Sequence, residues 1–247
     1  MDPTRFSTIA HREHVFCNPI PGSRIDAMLA AIVLPPSAKV LDIGSGKGEL
    51  LLRVLERNPT AHATGVDTNA EYLTHALAQA KRRGVSGRLD LRFKDAASVG
   101  LGDGSFHLVA CIGASHAFGT PASAIRRLAT LVRRGGTVLW GEGYWRKAPD
   151  LGYLEYLGTT AEEFSDLAGT IALGVAAGLT EVETIASTPE DFDAYEGLYA
   201  GNVHRFAAAH ESDPDREAMM ERIDGWQDAY RRWGRDTLGF ALMRFTR

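Results

Sequence analysis

An apolar run, Lys39-Val40-Leu41-Asp42-Ile43, breaks off at Gly44 and gives way to Ser45-Gly46-Lys47-Gly48-Glu49. Three alternate glycines let the backbone turn sharply and approach a ligand closely. Behind them, Glu49 to Arg57 place Leu50, Leu51, Val54 and Leu55 on one helical face, and Asn58-Pro59 ends the helix. A buried strand, a glycine turn and an amphipathic helix, in that order, belong to a parallel sheet with helical crossovers. The turn then lies at the carboxyl end of a strand, where such sheets bind their ligands. The free N–H groups at the start of the helix suit a carboxylate or a phosphate.

The rhythm continues. His62 to Val66 reads as a second strand, terminated by Asp67. Asn69 caps a helix whose Ala70, Leu73, Leu77 and Ala80 face inward, with Gly84 at its close. Leu89 to Phe93 alternates as a third strand, and Phe106 to Ile112 is the nearly continuous apolar kind that is covered on both faces. Pro121 to Arg133 is helical, Gly135-Gly136 turns, and Thr137 to Trp140 is the next strand. Residues 144–157 read as irregular and aromatic-rich, 160–177 as helix, Glu181 to Ala186 as strand, Pro189 to Trp233 as helix and Leu238 to Phe245 as a closing strand. The expected fold is α/β: a doubly wound, seven-stranded, mostly parallel sheet with helices on both faces and a small helical cap. Its parts are an N-terminal helical lid (1–36), a ligand-binding α/β domain (37–188), a helical cap insertion (189–236) and a final strand (237–247).

Spacing narrows the ligand. The glycines at 44, 46 and 48 fall one residue short of the dinucleotide fingerprint, and Gly46-Lys47-Gly48 lacks the Ser or Thr that completes a phosphate loop. Asp42 repels a pyrophosphate but pairs with an ammonium group, so a zwitterionic amino-acid ligand fits better. Asp67, followed by Thr68, ends the second strand where a carboxylate accepts ribose hydroxyls; a turn or cap role is the alternative. Asp95-Ala96 can meet an adenine edge and Ile112-Gly113-Ala114 can floor the site, with ordinary turn roles open for each.

The ordered set Val40–Glu49, Gly65–Asp67, Asp95-Ala96 and Leu131–Gly136 resembles the class I S-adenosylmethionine-dependent methyltransferases. More narrowly, Asn18-Pro19-Ile20, Gly46–Glu49 and Gly141-Glu142-Gly143-Tyr144-Trp145 resemble motifs of a bacterial group of small-molecule type. The resemblance spans nearly the whole chain. It implies S-adenosylmethionine as cofactor and S-adenosylhomocysteine as product. It further implies Gly44, Ser45 and Gly46 around the methionine moiety, Asp67 on the ribose and Asp95-Ala96 at the adenine. Ser45 stands where the wider class more usually has cysteine or alanine, a small change. The resemblance names no acceptor.

Methyl transfer from a sulfonium is an in-line displacement by an O, N, S or C nucleophile. A thiolate or amine needs no base, whereas an alcohol or phenol does. His116, past the fourth strand, and Glu142, past the fifth, are the catalytic candidates. His116 acts as a general base or hydrogen-bonds a buried carbonyl; Glu142 orients the acceptor or contacts the lid through Arg12 or Lys47. Tyr144, Trp145 and Tyr195 are candidates for the acceptor wall, with packing under the cap as the alternative. His11 and His14 lack a third ligand and read as exposed helix histidines, so no metal is expected.

Composition closes other classes. A net charge of −4 leaves no electrostatic footprint for nucleic acid or an anionic membrane. Nothing approaches the roughly 20 apolar residues of a spanning helix, and the N-terminus has no signal-type apolar core. Two cysteines, Cys17 and Cys111, make no disulfide framework. The expectation is a cytoplasmic monomer or homodimer acting on a small-molecule acceptor, with no nucleic-acid or membrane partner. A nucleic-acid or protein methyltransferase, a nicotinamide-dependent oxidoreductase and a non-catalytic S-adenosylmethionine-binding protein are the competing readings.

Overall fold

The computed structural model describes all residues, 1–247. Its strands are β1 (Lys39–Ile43), β2 (His62–Asp67), β3 (Leu89–Phe93), β4 (Phe106–Ile112), β5 (Val132–Trp145), β6 (Thr180–Ala186) and β7 (Leu238–Thr246). They form one seven-stranded sheet in the order β3-β2-β1-β4-β5-β7-β6. Only β7 runs antiparallel to its neighbours. Strand order reverses between β1 and β4, so the crevice of a doubly wound sheet opens above the carboxyl ends of these two strands.

Helices α1 (Pro3–Ala10), α2 (Gly22–Ala30), α3 (Glu49–Arg57), α4 (Ala70–Arg82), α5 (Pro121–Leu131), α6 (Leu151–Leu157), α7 (Leu167–Ala176), α8 (Pro189–Ala209) and α9 (Arg216–Ala229) surround the sheet. Side chains alternate along each strand and sort into two cores. Val40, Leu108, Ala110, Leu139 and Leu242 pack with Ile25 and Met28 of α2 and Leu51 and Leu55 of α3. Leu41, Ile43, Val109, Cys111, Val138 and Trp140 pack with Ile125 and Leu128 of α5 and with Leu173 of α7. A third, smaller core joins Phe6, Ile9 and Ala10 of α1 to Val203 and Phe206 of α8 and to Met219 and Ile223 of α9. The first thirty-six residues therefore divide: α1 packs with α8 and α9, α2 with the sheet.

Three stretches differ from the sequence reading. β5 continues past Trp140 to Trp145, because β7 pairs with it as far as Trp145 opposite Leu238. The expected helix over 160–177 breaks where Asp166 caps α7, its carboxylate accepting from the amide of Gly169 at 2.7 Å. The aromatic stretch read as irregular contains α6, capped by Asp150. No helix is long and apolar enough to cross a membrane.

Candidate active site

The three loop glycines all take positive φ, +67° at Gly44, +53° at Gly46 and +74° at Gly48. At Gly44 the need is also steric, since a Cβ there would lie 2.2 Å from that of Ala114 and force apart the turns after β1 and β4. Gly46 has nothing within 4 Å of that position, so backbone conformation alone selects it and space is left beside it. Gly44 and Ser45 donate their amides to the Val66 carbonyl at 2.8 and 3.1 Å, docking the loop on the end of β2. The Asp67 carboxylate completes the junction: Oδ2 accepts from the Gly46 amide at 2.7 Å and Oδ1 from the Asn69 amide at 2.8 Å.

Lys47 turns the other way. Its ammonium donates to the carbonyls of His11, Arg12 and His14 at 2.5, 2.9 and 2.8 Å, which uses all three protons and pins the end of α1 over the loop. His11 Nδ1 lies 2.9 Å from the Ser7 carbonyl, which fixes the proton there. Nε2 is then free to accept from the Tyr195 hydroxyl of α8 at 2.7 Å. His14 Nε2 donates to the Tyr195 carbonyl at 3.1 Å. Both histidines are thus enclosed between α1 and α8, not exposed on a helix as their spacing suggests. Burial holds them neutral and pulls His11 down to about 4.

Under this strap, Asp42 is 4 % exposed. No hydrogen bond supports its carboxyl, and burial, reinforced by Asp67, pushes its pKa up to about 8. Ser45 Oγ is likewise buried without a partner. Buried polar groups are ordinarily satisfied, so two side chains without hydrogen-bond partners beside one glycine turn are unusual.

A family model described as a methyltransferase domain matches residues 40–136. Over its whole length the chain is similar to an S-adenosylmethionine-dependent methyltransferase of Geobacter sulfurreducens, solved in complex with S-adenosylhomocysteine. The TM-score is 0.89 at 28% identity, and the match covers 98% of both chains. A Thiobacillus denitrificans methyltransferase solved with the same ligand gives 0.89 and 28%, covering 100% of each. The Escherichia coli K12 protein YjhP is 27% identical over 244 residues, 98% of either chain. With that domain and these likenesses, the chain is an S-adenosylmethionine-dependent methyltransferase.

In this methyltransferase the remaining sequence-derived positions fall into three groups. Thr68 and Asp95 are exposed at the ends of β2 and β3. Asp95 Oδ1 accepts from the Ala97 amide at 2.8 Å, a cap that sets the turn in which Ala96 is half-buried. Ile112 and Gly113 close β4; Gly113 has φ of +70° and lies beside the Phe240 ring. His116 is exposed in the single turn Ser115–Phe118 that follows.

The third group is displaced. Tyr144 packs in the sheet core, its ring filling the space a Cβ of Gly239 would need. Trp145 packs edge-on to Phe164 and Tyr153, and its indole N–H donates to the Ala161 carbonyl at 2.8 Å. Both are engaged in packing. Glu142 faces α5 and α7 along with Trp140 and Tyr144, away from the strap, so the expected contact with Arg12 or Lys47 does not form. Tyr195 alone of the three aromatic candidates reaches the strap. The role of Lys47 as a tie was not read from the sequence; a lysine between two loop glycines, too far forward for a phosphate loop, was the available signal.

Proposed function

We propose that this methyltransferase acts on a small molecule held between the glycine loop and the roof that α1 and α8 build over it. The observation that carries this reading is the pair of buried, unpartnered polar groups, Asp42 and Ser45 Oγ, set beside the Asp67 carboxylate. Together they fit the mixed chemistry of S-adenosylmethionine. Asp42 supplies a counter-charge for an ammonium, and Gly44, Ser45 and Gly46 admit the methionine chain. The oxygens of Asp67 keep lone pairs free for ribose hydroxyls, with Thr68 adjacent. Asp95 and Ala96 bound the adenine, and Ile112 and Gly113 form the floor.

The bound cofactor supplies a methyl group activated on a sulfonium; the protein's part is to orient the acceptor and exclude water. Lys47 and the His11–Tyr195 pair hold the roof down, which supports a small acceptor over a polymer, as does the net charge of −4. Tyr195 lines the acceptor side, and His116 stands where it can take a proton from a hydroxyl acceptor.

The test uses S-adenosylmethionine labelled on its methyl group, incubated with the protein and a cell extract. Label is expected in a new low-mass product that separates from S-adenosylmethionine and is absent without the protein. Label retained on nucleic acid or protein overturns the small-molecule assignment, and tight S-adenosylhomocysteine binding without any transfer overturns catalysis. Once an acceptor is known, His116→Ala is expected to lower turnover while calorimetric cofactor affinity holds.

A further inference from the structure

Glu142 is the second buried carboxyl at the carboxyl edge of the sheet, and nothing in the reading above uses it. It is 7 % exposed. Oε1 accepts from the Gly143 amide at 3.0 Å, whereas Oε2 is buried with no hydrogen-bond partner. Glu142 lines a cleft of about 330 Å³ bounded by the end of β5, the start of α5, the 160–165 segment and α7. Glu162 and Glu163 stand on the same wall, with the hydroxyls of Thr120 and Thr160 and the ring of Phe164. No lysine, arginine or histidine lines the cleft.

A buried carboxylate without a cation is costly, and one left with a bare oxygen more so. Burial accordingly raises the pKa of Glu142 and Glu163 adds to the effect, while the Gly143 amide and the nearby Ser115 hydroxyl, which is outside hydrogen-bond geometry of Oε2, offset part of it. The carboxylates are too dispersed for a metal: no group of three or more His, Cys, Asp or Glu residues converges to hold an ion. What the cleft lacks is a cation that is larger than a metal ion and carries N–H donors. Such a group satisfies Oε2 by a charge-assisted hydrogen bond, and Phe164 offers it an aromatic face.

We propose that this cleft binds a small organic cation through an alkylammonium or guanidinium group, anchored on Glu142 and drawn in by Glu162 and Glu163. The cleft is on the α5/α7 face of the sheet, opposite Asp42, so the site is separate from the cofactor loop. Its volume suits a ligand of modest size.

Calorimetric titration of the full chain at low ionic strength tests this with butylammonium, butylguanidinium and tetramethylammonium. Saturable binding of one or both N–H-bearing probes at one site is expected, with the tighter of the two naming the group; tetramethylammonium, which has no donor, binds weakly. Glu142→Gln should weaken binding by about tenfold or more, and Glu162→Gln or Glu163→Gln by about twofold to threefold. Asp42→Asn should leave it unchanged. Ala122→Arg, which puts a tethered guanidinium into the cleft from α5, should abolish it whether or not Glu142→Gln folds. Equal binding of all three cations, wild-type affinity in Glu142→Gln or Ala122→Arg, or loss in Asp42→Asn overturns the proposal.

Discussion

Asp42 and Glu142 invite comparison. Asp42 lies one residue before the end of β1 and Glu142 one residue past the parallel pairing of β5 with β4; each is more than nine-tenths buried, and neither has a lysine or arginine partner. Burial raises the pKa of both. Their surroundings differ. Asp42 lies beneath a glycine loop, beside Asp67 and under a strap tied down by Lys47. Glu142 opens on a cleft edged by two more carboxylates and bounded by α5 and α7. Burial of a carboxyl therefore does not by itself designate a cofactor site; the proposed site rests on the glycine turn and the face of the sheet. Because strand side chains alternate, one step along β5 decides between the roofed face and the other.

The largest expected effect separates the two faces. Asp67→Ala should weaken S-adenosylhomocysteine binding by about a hundredfold or more, near 2.7 kcal/mol. It should also lower the melting temperature modestly, because the amides of Gly46 and Asn69 lose their acceptor. Glu142→Gln in the same calorimeter should return the wild-type affinity. Equal losses in the two variants would merge the sites.

Asp42→Asn should move two quantities in opposite directions. Cofactor affinity falls, by about tenfold, as the counter-charge is lost. Stability of the ligand-free protein rises, and the sign follows from linkage. Asp42 titrates near 8 when folded against an ordinary 3.8. Between those values the unfolded chain holds fewer protons, so the folded state is progressively disfavoured as pH rises toward 8. An asparagine removes that penalty, and thermal melts at pH 5 and pH 8 should show the variant gaining most at the higher pH. A fall in melting temperature at pH 8 would mean that the carboxylate has a partner in the free protein.

The same group sets a smaller, pH-dependent effect. An ammonium brought to Asp42 ionises it and expels its proton, so affinity should rise with pH up to about 8 and level off above. The slope is at most about tenfold per unit. Titrations in buffers of different ionisation enthalpy count the proton directly. Release that persists in Asp42→Asn would assign it to another group.

The sheet and its glycine turn were legible because both rest on local rules. Period-two strands, the glycine spacing at 44, 46 and 48 and Asp67 at a strand end are written within thirty residues, and the chain folds them where they stand. The packing of the aromatic candidates was not, because it depends on long-range pairing. Tyr144 and Trp145 follow a strand that looks finished at Trp140; only β7, nearly a hundred residues later, extends it and carries them into packing. His11 and His14 look solvent-facing until α8 arrives with Tyr195. Glu142 was recognisable as chemistry, but its face was not, since a run of Gly141, Gly143 and aromatic residues gives the alternation little to show.

Lys47→Met sharpens the comparison last, through dynamics. The substitution keeps the length of the side chain while removing the charge and all three donors, leaving the carbonyls of His11, Arg12 and His14 to find water. The glycine loop itself stays docked on Val66 and Asp67, so S-adenosylhomocysteine affinity should fall only about threefold. Amide hydrogen exchange should speed up in α1 and in the neighbouring turn of α8 around Tyr195, with α5 and α7 unchanged. Faster exchange on both faces would mean general loosening, and no change in α1 would assign its position to the Phe6, Ile9 and Phe206 core alone. If the roof loosens alone, the difference between the two faces is one of closure as well as charge: a lysine from the cofactor loop holds the cover over Asp42, while the cleft at Glu142 stays as it was.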